Sequence, residues 1–353
     1  MSMVKNSTIL IGGVMVSNLL AYAFHFIAGR MLGPESYGVF GALMALFLIV
    51  ALPAYALGSA ITKVTSRLYT DNKLGTIALF RKQIQKDILI FSGILVACIF
   101  IFSRLIADFL RIDSVVPVCI VAISIAFTLL LPVNRGMLQG MKKFKDLSWN
   151  AILEGVTRLA LVVVFLYAGY GVNGALLAYG IAYLIAFLSI FPFIREIKDT
   201  DSIAEPTVMK PVYKFIVQVL FASIVIQSMI NLPSIFIKHF FSSEFTGYWT
   251  AALTIARISM FTSTAISMVM FPELTGARDA ESKKRIFYIA LKLVLFTSTC
   301  MAVIFFAIPH FIIQVLYGSS FLGAAPILQW MGVAMIFIGI LQLWSDYYLA
   351  RLK

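Results

Sequence analysis

The chain has 353 residues, of which 61% are apolar and 12% are charged, and its formal net charge is +12. A soluble protein of this size needs far more polar surface, so the composition excludes a soluble globular domain. The positive charge alone would fit a nucleic-acid-binding protein. Its distribution argues against that class, because the basic residues are grouped in loops between long apolar segments.

About ten apolar segments follow one another along the chain, and each is long enough to cross a hydrocarbon core of roughly 30 Å. They centre on residues 9–28, 38–59, 88–107, 115–133, 148–168, 173–194, 213–237, 247–270, 287–309 and 324–349. Solid apolar blocks of this length are typical of transmembrane helices. We therefore predict an all-α polytopic membrane protein.

The basic residues alternate along the chain, with many in every second loop and few in the loops between. Arg135, Lys142 and Lys143, for example, follow the fourth segment. Excess Lys and Arg mark the cytoplasmic side of a membrane protein. The alternation predicts a multi-pass protein of the cell membrane with a cytoplasmic N-terminus, and not a nucleic-acid partner.

The first and seventh segments carry the same pattern of polar positions, 209 residues apart. Asn18, Tyr22, His25 and Gly29 are matched at this offset by Gln227, Asn231, Ser234 and Lys238. Just downstream, the sequence Glu-Ser-Tyr-Gly at 35–38 is matched by Glu-Phe-Thr-Gly at 244–247, and we interpret both as turns. Both copies begin on the same side of the membrane. The sequence therefore predicts parallel repeats, a plan used by many transporters.

The repeat predicts two lobes joined by a linker. A six-helix N-terminal lobe covers residues 1–198, and a four-helix C-terminal lobe covers 212–353. The polar, Pro-containing stretch at 199–211 reads as a cytoplasmic linker. If the repeat extends throughout, the second lobe has about two helices fewer than the first. We therefore expect the chain to be a fragment, or a shortened form, of a protein with at least twelve spans.

Polar residues within the spans form stripes, and such residues normally face a cavity or a partner. Asn18, Tyr22 and His25 share one helix face, and the matched residues of the seventh segment share another. Two interpretations remain open: hydrogen bonds between packed helices, or the lining of a cavity. The matched positions in the two halves favour a cavity.

Charged residues within the spans are few. Glu154 and Arg158 lie four residues apart and are expected to pair, in a structural or a substrate-binding role. Arg257 has no acidic residue one turn away, and its guanidinium suits the bidentate binding of phosphate oxygens. Arg30 and Lys238 lie near the outer ends of their spans, where they would either extend to the interface or bind substrate.

The sequence contains no Walker loop, no His-Glu-x-x-His motif and no acidic metal cluster. Its three cysteines fall within apolar segments without metal-binding spacing. We therefore predict a protein that is not an enzyme and that uses no metal or cofactor.

Three motifs carry a family resemblance. Residues 31–43 (MLGPESYGVFGAL), 134–140 (NRGMLQG) and 316–328 (LYGSSFLGAAPIL) resemble turns and span ends of the polysaccharide-biosynthesis flippases of bacteria and archaea. Their superfamily also holds the lipid II flippase and the multidrug and toxin extrusion transporters. The resemblance implies twelve to fourteen spans in two lobes around a central cavity that opens alternately to each side. It also implies an oligosaccharide substrate on a polyprenyl phosphate or pyrophosphate carrier.

We therefore predict a flippase that exports lipid-linked oligosaccharide by alternating access, with membrane lipids and glycan-assembly enzymes as partners. The residues predicted to bind substrate are Arg257, Arg158, Glu154, Asn18, Tyr22, His25, Gln227, Asn231, Ser234, Arg30 and Lys238. A multidrug or cation antiporter of the same superfamily remains an alternative, although it calls for acidic cavity residues. A membrane glycosyltransferase or polymerase is less favoured, because such enzymes carry a large outer loop or a catalytic carboxylate loop. A lipid scramblase without energy coupling also stays open.

Overall fold

The computed structural model describes residues 2–194, 209–276 and 279–351. Over these ranges the chain forms helices and no strands, which confirms the predicted all-α fold class. The α-helices are α1 Ser2–Val50, α2 Leu52–Thr70, α3 Leu74–Ile101, α4 Ser103–Phe109, α5 Val116–Gly140, α6 Phe144–Tyr167, α7 Gly171–Ser189, α8 Met209–Phe240, α9 Ser243–Ala256, α10 Ile258–Gly276, α11 Ala280–Ala307, α12 Pro309–Leu316 and α13 Ala325–Arg351. Two short 3-10 helices cover Phe191–Ile194 and Ser319–Ala324.

Each predicted apolar segment lies in helical structure, but the helices do not correspond to the segments one to one. Among the described residues, seven helices are long and apolar enough to cross a membrane. The segment predicted at 247–270, for instance, consists of α9 and α10, which are separated at Arg257. The predicted segments at 9–28 and 38–59 are also divided differently, since α1 reaches from the first into the second.

The predicted turn at residues 35–38 is instead helical, and the chain changes direction just before it. Gly33 has φ 72° and ψ 170°, a backbone conformation that glycine adopts without the strain that a Cβ would cause. Pro34 follows, and a helix accepts proline well in its first turn. α1 is thus two helical stretches that meet at a kink. The matched stretch at 244–247 likewise lies within α9.

One compact unit comprises Met1–Leu32 and Ala42–Phe240. Within it α5 packs against α2, α3, α6 and α7, while α8 packs against α2. Glycine allows the close approach of α5 to α2, because a Cβ at Gly136 would lie 2.9 Å from the carbonyl oxygen of Gly58. This unit holds Arg135, Glu154 and Arg158, which are described in the next section.

The second compact unit comprises Gly33–Gly41 and Phe241–Lys353. Its helices α10, α11 and α13 pack against one another around apolar residues such as Val294 and Leu343. α9 packs against α13 and against the 3-10 helix Ser319–Ala324, which precedes α13. The short stretch taken from α1 joins this unit through aromatic contacts, in which the ring of Tyr37 lies 5.8 Å from that of Phe321.

The predicted lobes at 1–198 and 212–353 remain predictions, as do the central cavity, the expected truncation and the orientation of the N-terminus. Of the predicted linker at 199–211, residues 199–208 lie outside the described residues. Its last three residues begin α8, which starts at Met209.

Candidate functional site

One face of α6 carries three polar residues at intervals of four, Asn150, Glu154 and Arg158. All three are buried, with relative exposures of 0%, 6% and 5%. Intervals of four stack side chains on one side of a helix. In this unit that side contacts α5 and α7. Buried polar residues in a membrane segment need polar partners, and the neighbouring helices supply them.

Glu154 lies between two guanidinium groups. Its Oε1 is 3.3 Å from Nη1 of Arg158, which confirms the predicted pairing of these two residues. Its Oε2 is 2.9 Å from Nη2 of Arg135, which the sequence analysis did not include in the site. Two formal positive charges and one negative charge leave a net charge of +1. We call Arg135, Asn150, Glu154 and Arg158 the cationic cluster.

Asn150 connects the cationic cluster to α7. Its Oδ1 accepts a hydrogen bond of 2.7 Å from Nε of Arg135. Its Nδ2 donates to the carbonyl oxygen of Ala186 at 2.7 Å and to Oγ of Ser189 at 2.8 Å. Helices α5, α6 and α7 therefore meet at a single buried amide. An amide suits this position because it offers both an acceptor and two donors.

The prediction that Arg135 belongs to a cytoplasmic loop was wrong. The apolar segment ends at residue 133, but α5 continues to Gly140 and carries the arginine with it. Glu154 and Asn150 offset the cost of the partial burial of its guanidinium. A signal was present in the sequence, since the motif at 134–140 resembles the end of a span and not a loop.

Two aromatic rings border Arg158. Its guanidinium carbon lies 4.7 Å from the ring centroid of Tyr179 and 5.9 Å from that of Phe24. Cation–π contacts stabilise by about 2 kcal/mol when desolvated. Nε of Arg158 is buried and has no hydrogen-bond partner among the described residues. The charge of Arg158 is thus stabilised by one carboxylate and by ring faces.

Phe24, which contacts Arg158, lies on α1 between Tyr22 and His25 of the first polar stripe. Asn18, Tyr22 and His25 are half-buried, and Arg30 is exposed. α1 also contacts α6 directly, because a Cβ at Gly155 would lie 2.9 Å from Cδ1 of Leu20. The helix that bears the stripe therefore passes beside the cluster. A role of the stripe in substrate binding remains a prediction.

The second polar stripe lies on α8, and three of its four residues are buried. Asn231, Ser234 and Lys238 are at most 2% exposed, whereas Gln227 is exposed. Nδ2 of Asn231 donates to the carbonyl oxygen of Gln227 at 2.9 Å. Nζ of Lys238 donates to the carbonyl oxygen of Arg111 at 3.2 Å. Lys238 thus has a backbone partner within the first unit, and its role in substrate binding remains a prediction.

Arg257 belongs to the second unit and lies at the break between α9 and α10. It directly follows Ala256, the last residue of α9, and it is half-buried. The hydroxyls of Thr250 and Thr254, on the preceding turns, donate to the backbone of their own helix at 2.8 Å. A cation at the C-terminal end of a helix is stabilised by the helix dipole. The predicted candidate thus occupies a helix break and not a continuous span.

Solved structures with this fold are transporters. A multidrug resistance MATE family transporter in an inward-facing conformation matches with a TM-score of 0.75 and 15% identity, over 95% of this chain and 83% of that one. The lipid II flippase MurJ matches with a TM-score of 0.70 and 18% identity, over 95% of this chain and 75% of that one. A MOP superfamily transporter from Pyrococcus furiosus matches with a TM-score of 0.59 and 17% identity, over 98% of this chain and 84% of that one. These TM-scores establish the fold, which is that of the all-helical MATE and MurJ transporters.

Sequence comparison adds the family. An uncharacterized membrane protein of Methanocaldococcus jannaschii is 24% identical over 298 residues, which is 79% of this chain and 69% of that protein. The family model described as polysaccharide biosynthesis protein matches residues 3–278. That match covers more than half of the chain and confirms the predicted resemblance. The chain belongs to the polysaccharide biosynthesis protein family.

Proposed function

We propose that this protein moves an oligosaccharide linked to polyprenyl phosphate or pyrophosphate across the cytoplasmic membrane by alternating access. The observation that carries the proposal is the cationic cluster, in which two guanidinium groups share one carboxylate inside a membrane segment. Charged residues within membrane segments are rare and mark substrate or ion pathways. A surplus of positive charge suits a phosphorylated substrate.

The chemistry of the substrate fits these residues. A sugar head and a phosphate cannot cross hydrocarbon without polar partners, whereas the lipid tail can remain in the bilayer. Arginine binds phosphate oxygens in a bidentate way, which favours Arg158 and Arg257 for the phosphate. Amide and hydroxyl groups suit the sugar, which favours the stripes of α1 and α8. The remaining predicted residues, Arg30 and Lys238, are weaker candidates for the phosphate.

The main alternative is a multidrug or cation antiporter, which the fold alone would equally allow. A cation substrate calls for a surplus of carboxylates, because buried positive charge repels it. In the cationic cluster the one carboxylate, Glu154, already faces two guanidinium groups. This arrangement favours an anionic substrate over a cationic drug.

The proposal is tested by reconstituting the purified protein in liposomes that contain a fluorescent polyprenyl-pyrophosphate oligosaccharide. A membrane-impermeant reagent added outside modifies only outward-facing headgroups, so the modified fraction reports movement across the bilayer. With the protein, we expect the glycolipid of both leaflets to be modified, because inner-leaflet headgroups are moved outward. Without the protein, only the glycolipid of the outer leaflet should be modified. Movement of a cationic dye in place of the glycolipid would support the antiporter instead.

A further inference from the structure

Two helical stretches of the second unit cross at positions that the internal repeat makes equivalent. A Cβ on Gly38 of α1 would overlap the carbonyl oxygen of Ser243, at the start of α9. A Cβ on Gly247 of α9 would overlap the carbonyl oxygen of Pro34. The offset of 209 residues pairs Gly38 with Gly247 and Pro34 with Ser243. The contact is therefore reciprocal.

A third pair of equivalent positions lies at the centre of this crossing. Gly41 and Thr250 are also 209 residues apart, and they face each other directly. A Cβ on Gly41 would lie 2.7 Å from Cβ of Thr250. In a contact with two-fold symmetry, each residue meets the equivalent of its own partner, and a residue on the axis meets its own equivalent. The crossing of α1 and α9 has both properties.

The close approach at this crossing needs glycine on both stretches. The hydrogen that replaces a Cβ on Gly38 points at a carbonyl oxygen of α9, and the one on Gly247 points at a carbonyl oxygen of α1. Such C–H···O contacts are individually weak. The hydroxyl of Thr250 donates to Thr246 in its own helix at 2.8 Å, and so does not tie the two stretches together. Besides these contacts, the α1 stretch has a hydrogen bond of 3.0 Å between the hydroxyls of Tyr37 and Tyr317, which separation would also break.

The α1 stretch also has a joint at its start. Gly33 is in the left-handed region, with φ 72°, and it directly precedes the crossing. Residues that absorb changes of backbone direction in domain motions lie in loops or at the ends of elements. α1 continues as a helix to Val50, so rotation about Gly33 would change the direction of the whole stretch 34–50 without distorting its internal helical hydrogen bonds.

We propose that the reciprocal crossing at Gly38, Gly41, Gly247 and Thr250 is a closing contact that separates and re-forms in each transport cycle. The inference rests on the proposed transport function, because the contact would open to let the substrate pass. It requires that Thr250 be reached by solvent part of the time. A buried position within the α11–α13 packing of the same unit should stay closed.

The first test measures this exposure without any substrate. In a variant whose native cysteines are replaced by alanine, Thr250→Cys is compared with Ala302→Cys, a buried position on α11. N-ethylmaleimide is added to the purified protein. An open state populated at roughly 0.1–10% would label Thr250→Cys at about that fraction of the rate in denatured protein. Ala302→Cys should react more slowly. Equal rates at the two positions would overturn the proposal.

The second test locks the contact. The pair Gly41→Cys and Thr250→Cys places two Cβ atoms 2.7 Å apart, about 1 Å closer than in a relaxed disulfide. The control pair Ala302→Cys and Gly332→Cys joins α11 to α13 with Cβ atoms 3.4 Å apart. We expect oxidation to block glycolipid movement only in the first pair, and a reductant to restore it.

The outcomes separate the two proposals. Full movement by the oxidised first pair would overturn the closing contact and leave the transport function intact. Absence of glycolipid movement in every variant, including the reduced ones, would overturn the proposed substrate. In that case the labelling rates still decide whether the crossing opens, because that assay uses no glycolipid. The single Thr250→Cys variant also remains informative if the double variant does not fold.

Discussion

Two arginines that look alike in the sequence lie in very different surroundings. Arg158 is buried in the first unit, bonded to Glu154 and bordered by two aromatic rings. Arg257 is half-buried in the second unit, at a break between helices. The first guanidinium has little freedom, whereas the second lies where the helix itself is interrupted. The comparison sets a guanidinium held by packing against one at a helix break, for which we propose a role in substrate recognition.

The largest expected effect tests the packing side of this comparison. Glu154→Gln leaves Arg135 and Arg158 without their counter-charge, and breaking a buried ion pair costs about 3–5 kcal/mol. We expect a strong loss of thermal stability of the detergent-solubilised protein. The measurement is size-exclusion chromatography after heating, which reports the fraction that remains folded.

The matched control is the double variant Glu154→Gln with Arg158→Gln. It removes one charge of each sign, so it should be more stable than Glu154→Gln alone. Together with the single variant Arg158→Gln it completes a double-mutant cycle, which yields the coupling between the two residues. A single Glu154→Gln variant as stable as the wild type would show that the carboxylate is not needed for packing.

The next effect tests the recognition side. Arg257→Ala should abolish export of surface glycan while the protein still inserts into the membrane. Arg257→Lys should retain part of the activity, because lysine keeps the charge but not the bidentate geometry. Export is measured in cells that lack the native protein, with membrane abundance determined in parallel. Normal export by an abundant Arg257→Ala protein would remove this residue from the proposed site.

A smaller effect is expected where the cluster is joined to α7. Asn150→Leu leaves Nε of the half-buried Arg135 without its acceptor, and a lost buried hydrogen-bond partner costs about 1–3 kcal/mol at most here. Ser189→Ala is the control, because it removes only one acceptor of the amide and should cost less. Equal melting temperatures for both variants would contradict the role of Asn150 as the link between the three helices.

The smallest effect concerns Lys238. Lys238→Met removes one hydrogen bond to Arg111 and also removes the cost of burying an ammonium group, so we expect a net change of about 1 kcal/mol or less. Export should be retained if the lysine only stabilises the end of α8. Lost export from a stable variant would place Lys238 on the recognition side of the comparison.

Much of the fold could be predicted because apolar length and periodicity directly determine membrane helices. The ion pair of Glu154 and Arg158 was also predictable, since residues four apart on one helix are always neighbours. Arg135 was missed because its partner, Glu154, lies on another helix, and the sequence around Arg135 does not show that a carboxylate is close in space. The turn was predicted at residues 35–38, a few residues after the observed kink at Gly33. Residues 35–38 are helical because the new helical stretch already begins at Pro34, and a helix accepts proline in its first turn.

The amino-acid sequence by itself determined the helical membrane class, the 209-residue repeat and the family, since all three depend on spacing and composition along one chain. Only the tertiary structure decided that Asn150 joins three helices, that Lys238 is buried against a backbone carbonyl, and that repeat-equivalent glycines meet each other. These features depend on distances between residues far apart in the chain. Such distances are set by how helices pack, and a linear pattern does not contain them.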